Sequence, residues 1–118
     1  MISVLYIDDE VINLDLFDLT YRKEFKVFMT DSPQEGLELI DKNPIDVVVT
    51  DLRMPEMNGI EFIRKVKEKN PAKNCILLTA YHEPSLKNDP EIQKLLFKYM
   101  LKPFNKSELK STILQACK

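Results

Sequence analysis

A strict alternation of short apolar runs with amphipathic stretches constrains this chain more than any other feature. The first run, Ile2 to Ile7, is almost continuously apolar, and Ile45-Asp46-Val47-Val48-Val49 is dominated by β-branched residues. Lys26 to Thr30, Cys75 to Leu78 and Tyr99 to Leu101 are further short runs of the same kind. Runs this short and this apolar suit strands covered on both faces, as in a parallel sheet. Residues 11 to 23 instead place Leu14, Phe17 and Tyr21 at helical spacing, with Val11 and Leu16 alongside. Ser32-Pro33-Gln34-Glu35 predicts a helix start: a capping serine, a proline at the first helical position and a glutamate completing a capping box. That helix should end near Asn43-Pro44. Asn58 with Glu61 opens a third helix reaching about Lys69, and Asp89-Pro90-Glu91 a short one reaching about Phe97. Asn105 caps a last helix, with Glu108 in the box position.

A βα unit repeated five times implies an α/β fold with helices on both faces of a parallel sheet. The 118 residues are too few to close an eight-stranded barrel, so a doubly wound five-stranded parallel sheet with five helices is expected, as one domain spanning 1–118. In such sheets, ligands bind beyond the carboxyl ends of the strands, where the strand order reverses.

Charge and composition narrow the function classes. Hydrophobic residues make up 44% and charged residues 31%, the balance of a globular domain with one real core. The formal net charge is −2, from 17 basic and 19 acidic residues, without the clustered positive excess of a nucleic-acid surface. No run is long enough to span a bilayer, and the start of the chain reads as a strand rather than a signal peptide, so direct nucleic-acid binding and membrane insertion are not expected. Cys75 and Cys117 have no metal-ligand spacing and read as small buried residues in a reducing cytoplasm.

The chemistry lies at the strand ends. Asp8, Asp9 and Glu10 follow the first strand, Asp51 follows the third, Thr79 ends the fourth and Lys102 ends the fifth. An aspartate there is by itself often a turn former, and a lone threonine or lysine is unremarkable. All of them, however, should converge on one sheet edge. Grouped carboxylates repel unless something positive is present. Their hard oxygen ligands suit Mg2+, which keeps several waters of its own. With a lysine cation and a threonine hydroxyl beside them, they form a setting for a phosphoryl group: a carboxylate nucleophile, a metal, a cation and a donor.

At these residues the sequence closely resembles the receiver domains of two-component response regulators, including the stand-alone chemotaxis type. The resemblance rests on Asp8-Asp9-Glu10 after an apolar strand, on Asp51 to Gly59, on Leu78-Thr79-Ala80 and on Tyr99-Met100-Leu101-Lys102-Pro103-Phe104. It implies a flavodoxin-like sheet of strand order 2-1-3-4-5. Asp51 would be the phosphoacceptor, and Asp9 would ligate Mg2+ directly. Asp8 would act through water or as a base, and the Arg53 carbonyl would be a further ligand. Lys102, Thr79 and the Ala80 amide would hold phosphoryl oxygens. Pro103 would follow a cis peptide bond that aims Lys102 inward. Tyr99 would be an aromatic switch moving with Thr79, the alternative being a simple half-buried strand aromatic.

The implied function is a cytoplasmic signalling switch charged by a sensor histidine kinase or a phosphotransfer protein in a phosphorelay. Such a domain is not an enzyme on other molecules; it catalyses only its own phosphoryl acceptance and autodephosphorylation. The chain departs from the family before Tyr99, where Leu95-Leu96-Phe97-Lys98 replaces the common small turn. Asn88-Asp89-Pro90 also cuts into the fourth helix, so a long loop from Tyr81 to Asn88 and a short helix are expected. Exposed Leu or Phe on the face of helix four, strand five and helix five would mark a patch for a downstream protein or a self-dimer, the alternative being that these side chains simply pack on the sheet. Arg53 and Tyr81 flank the expected entry of water and should set the phosphoryl lifetime.

Other classes fit less well. A dehalogenase-type phosphatase needs a second aspartate two residues after the nucleophile, where Arg53 stands. A flavin or nucleotide carrier needs a glycine-rich loop after the first strand, where the acids stand instead. The lone His82 sits in an expected loop rather than on a helical bundle, which argues against a phosphohistidine. Met54 and Met57 read as loop packing. The remaining alternative is a degenerate receiver acting as a phosphorylation-independent interaction module.

Overall fold

The computed structural model describes residues 1–118. Its elements are β1 (Ser3–Ile7), α1 (Val11–Tyr21), β2 (Lys26–Thr30), α2 (Pro33–Lys42), β3 (Val47–Thr50), α3 (Gly59–Lys69), β4 (Asn74–Thr79), α4 (Pro84–Lys87), α5 (Pro90–Leu95), β5 (Lys98–Leu101) and α6 (Lys106–Ala116). The five strands form one sheet of order β2-β1-β3-β4-β5, with every neighbouring pair parallel. The fold is the flavodoxin-like one, and the strand order reverses at β1.

Period-two alternation splits the core into two layers. Val4 and Tyr6 face one side of the sheet, where they meet Leu14, Phe17 and Tyr21 of α1 and Leu109 and Ile113 of α6. Leu5 and Ile7 face the other, against Phe62, Ile63 and Val66 of α3 and Ile92 of α5. The fully buried positions of β1, β3 and β4 explain why those strands carry almost nothing but apolar residues. In the first layer an aromatic group joins α1 to the turn after β5. The Phe104 ring lies 5.8 Å from Tyr21 and 6.2 Å from Phe17, and the Tyr21 hydroxyl donates to the Lys106 carbonyl at 2.8 Å.

The helix count corrects the expectation of five. Within the expected loop from Tyr81 to Asn88, residues Pro84–Lys87 close one helical turn, giving six helices. Pro84 supplies a helical φ at the first position, and the Asn88 amide donates back to the Pro84 carbonyl. α5 stops at Leu95 rather than near Phe97, because the Phe97 amide already donates to the Cys75 carbonyl of β4. The Ser32 box is half formed: Ser32 accepts from the Glu35 amide, while its own amide goes to Thr30 Oγ1. At Asn58 both halves of the box are present. Cys75 is buried as expected, whereas Cys117 is only half-buried. Met54 and Met57 pack on the α3 side of the core. No helix is long and apolar enough to cross a membrane.

Candidate functional site

The parallel register brings the acids together. Ile7 pairs with Thr50, so Asp8 and Asp51 are each one step beyond the same rung. The ladder continues past the strands: the Asp51 amide donates to Ile7 O at 2.9 Å and the Asp8 amide to Thr30 O at 3.3 Å. One strand further on, the Lys102 amide donates to Thr79 O at 2.8 Å, which fixes the end of β5 against the end of β4. The Lys102–Pro103 bond is cis.

Within this edge, Asp8, Asp9 and Asp51 offer carboxylate oxygens that all lie within 4.8 Å of one another. Asp8 is fully buried and Asp51 is 6% exposed, while Asp9 stands at the rim. The Lys102 ammonium lies 2.6 Å from Asp8 Oδ2 and 3.5 Å from Asp51 Oδ1, so one cation serves two buried anions. Asp8 is further held by the Glu10 amide on Oδ1 (3.0 Å) and by the Tyr6 hydroxyl on Oδ2 (2.6 Å). Asp51 Oδ1 accepts from the Leu52 amide at 2.8 Å.

Burial pushes the Asp51 carboxyl above its usual range. Lys102 opposes that shift, the charge of Asp8 adds to it, and the Leu52 amide opposes it. Burial also drives the Tyr6 phenol far up, reinforced by its hydrogen bond to Asp8, so it remains a proton donor at any physiological pH. Three carboxylates this close, served by a single lysine, have the hard oxygens and the unmet negative charge that a divalent cation such as Mg2+ answers.

The loop from Asp51 to Gly59 is shaped by a close approach. The Gly59 amide donates to Leu52 O at 2.8 Å, and a Cβ on Gly59 would run into the Asp51 carbonyl and lie 2.9 Å from Leu77 Cδ1. Only glycine lets the start of α3 lie against the backbone of Asp51.

The other expected residues lie around the same edge. Thr79 is fully buried, and its Oγ1 accepts from the Tyr81 amide at 3.1 Å. Ala80, Arg53 and Tyr81 are exposed and, with Asp51 and Lys102, line an open cleft of about 700 Å3. Tyr99 is half-buried; its hydroxyl donates to Tyr81 O at 2.8 Å and accepts from the Glu83 amide at 3.2 Å. His82 is exposed in the same loop. Two residues of the site were not foreseen. Tyr6 carried a signal, since it shares a strand face with Asp8 two residues on. Glu83, whose carboxylate pairs with Arg53, carried none.

Residues 4–114 match the family model described as the response regulator receiver domain. The chain is 31% identical over 114 residues to the hydrogenase transcriptional regulatory protein HoxA of Cupriavidus necator, covering 97% of this chain and 24% of HoxA. It is 29% identical to the transcriptional regulatory protein ZraR of Escherichia coli, covering 98% of this chain and 26% of ZraR. The chain thus spans about a quarter of these relatives. Among solved structures, a response regulator receiver domain protein from Clostridium thermocellum superposes with a TM-score of 0.89 at 29% identity, covering 99% of this chain and 94% of that one. The response regulator TrrA of Thermotoga maritima, in complex with Mg(2+)-BeF, superposes with a TM-score of 0.87 at 26% identity, covering 98% and 99%.

Proposed function

The chain belongs to the response regulator receiver domain family, and from that we propose that it is a phosphorylation-dependent switch whose phosphoacceptor is Asp51. The observation that carries this reading is the shared lysine: Lys102 reaches both Asp8 and Asp51 in a cluster of three carboxylates. An Asp51 carboxylate oxygen attacks the phosphorus of a phosphohistidine. The P–N bond breaks, its electron pair stays on the imidazole nitrogen, and an acyl phosphate forms. Lys102 moves toward a phosphoryl oxygen, while Tyr6 and the Glu10 amide keep Asp8 supplied with donors. Thr79 turns its hydroxyl from the Tyr81 amide to another phosphoryl oxygen, with the Ala80 amide beside it. Asp9 and Asp51 would hold Mg2+ directly, Asp8 through water and Arg53 through its carbonyl; the ion supplies positive charge to the phosphoryl oxygens.

Hydrolysis of the acyl phosphate resets the switch, so the domain turns over only its own phosphoryl group. The donor is a sensor histidine kinase or a phosphotransfer protein in the cytoplasm. Tyr99 relays the change, since its hydroxyl holds the loop that Thr79 begins. The output face is α5, β5 and α6, where Phe97 and Leu101 are exposed and a downstream protein or a second copy would dock.

The test is intact-protein mass after incubation with acetyl phosphate, with Mg2+, with chelator, and for Asp51→Asn. A gain of one phosphoryl group that requires both Mg2+ and Asp51 supports the switch. No gain under any condition leaves a phosphorylation-independent interaction module.

A further inference from the structure

Two loops contribute to the lining of the cleft and touch each other, one leaving β3 and the other leaving β4. Arg53 lies on the first, with Tyr81 and Glu83 on the second. The Arg53 guanidinium lies 4.3 Å from the centroid of the Tyr81 ring, and its Nη2 donates to Glu83 Oε1. A surface arginine two residues from Asp51 would otherwise sweep freely through solvent. Here the ring supports one face of its planar group and the carboxylate takes its edge, so it is held between two loops that both contribute to the lining of the cleft.

The second loop has a fixed place of its own. Tyr99 holds it from β5, taking the Glu83 amide and giving its proton to the Tyr81 carbonyl. Glu83 is therefore anchored at its backbone by Tyr99 while its side chain reaches the opposite loop. The same loop begins with Thr79 and Ala80.

We propose that Glu83 is a positioning residue that parks Arg53 on Tyr81 as a clasp over the Asp51 site, slowing the approach of water to the phosphoryl group. This rests on the phosphoacceptor reading above and adds to it a residue and a direction. Glu83 touches no reacting atom; it acts through Arg53. Because the clasp closes on the loop that Thr79 begins, any movement of Thr79 toward a phosphoryl oxygen alters the clasp as well.

The test is a double-mutant cycle on hydrolysis. Wild type, Glu83→Gln, Glu83→Ala, Arg53→Ala and the Arg53→Ala/Glu83→Ala double variant are phosphorylated with phosphoramidate and Mg2+. The donor is removed and the loss of the phosphoryl mass is followed. Glu83→Ala should hydrolyse about two- to fivefold faster than wild type, the range set by a partly exposed ion pair. Glu83→Gln should fall between the two. In the Arg53→Ala background, Glu83→Ala should add nothing, because its effect passes through the arginine. Equal rates for Glu83→Ala and wild type, or the same acceleration in both backgrounds, would overturn the proposal.

A second arm needs no phosphoryl group. The Arg53 side-chain protons should be shifted upfield by the Tyr81 ring in wild type and relax toward random-coil values in Glu83→Ala; unchanged shifts would also overturn it. If the wild type takes no phosphoryl group, the phosphoacceptor reading fails and the clasp's effect on lifetime fails with it. The shifts would then report only whether Glu83 holds Arg53.

Discussion

The hydroxyl of Tyr6 donates to Asp8 Oδ2 at 2.6 Å in a position closed to solvent. Its ring stacks on Phe17 of α1 at 4.4 Å, so packing aims the donor and leaves it little freedom. Tyr6→Phe removes only the oxygen. It should destabilise the protein by about 1.5–3 kcal/mol, the range for a hydrogen bond to a charged group, measured by urea unfolding. A change under about half a kcal/mol would mean that Lys102 and the Glu10 amide satisfy Asp8 alone.

Asp51 should make the metal-free fold less stable when ionised. Its carboxyl is raised in the folded state, chiefly by burial, so the folded protein holds that proton more tightly than the unfolded chain does. The resulting contribution to stability is fully present below the unfolded carboxyl value of about 3.9 and is lost as pH rises through the higher folded value. Asp51→Asn lacks this loss. In chelator it should be more stable than wild type at neutral pH, with the gap narrowing on acidification toward pH 4. Denaturant titrations at several pH values read this directly, and a pH-independent gap contradicts it.

Gly59→Ala should disturb the site from a distance. The added methyl meets the Asp51 carbonyl, which is backbone and cannot swing aside as a flexible side chain can, and the side chain of Leu77. A loss of about 1–3 kcal/mol is expected from overpacking, together with weaker Mg2+ binding by calorimetry as Asp51 is displaced. Unchanged stability and unchanged affinity together would show that α3 moves aside without strain.

The two thiols should separate cleanly. Burial pushes Cys75 up to about 12, and it is closed to solvent, whereas Cys117 is half-buried near the end of the chain. A thiol reagent at pH 8 should label one cysteine in the native protein and both in denaturant. Cys117→Ser should abolish the native signal.

Much of this was legible because its causes are local. Apolar runs mark the strands, and Ser32, Asn58 and Asn105 do cap the helices they open. The convergence of Asp8, Asp51, Thr79 and Lys102 was also legible, since every strand end of a parallel sheet reaches the same edge. What escaped depends on distance or brevity. Pro84–Lys87 is one turn, too short to show a period. The Arg53–Glu83 pair spans 30 positions, and nothing near either residue announces the other. Tyr6 could have been read from strand alternation, since it shares a strand face with Asp8 two residues on.

The ring cluster of Phe17, Tyr21 and Phe104, with the Tyr21 hydroxyl on Lys106, fastens α1 to the turn that follows Lys102. These segments stand at opposite ends of the chain, yet they pack as a single body. The ammonium shared by Asp8 and Asp51 thus sits beside a turn braced on the first helix as well as at the end of the last strand, so that a shift of α1 would carry to the charge at the centre of the site.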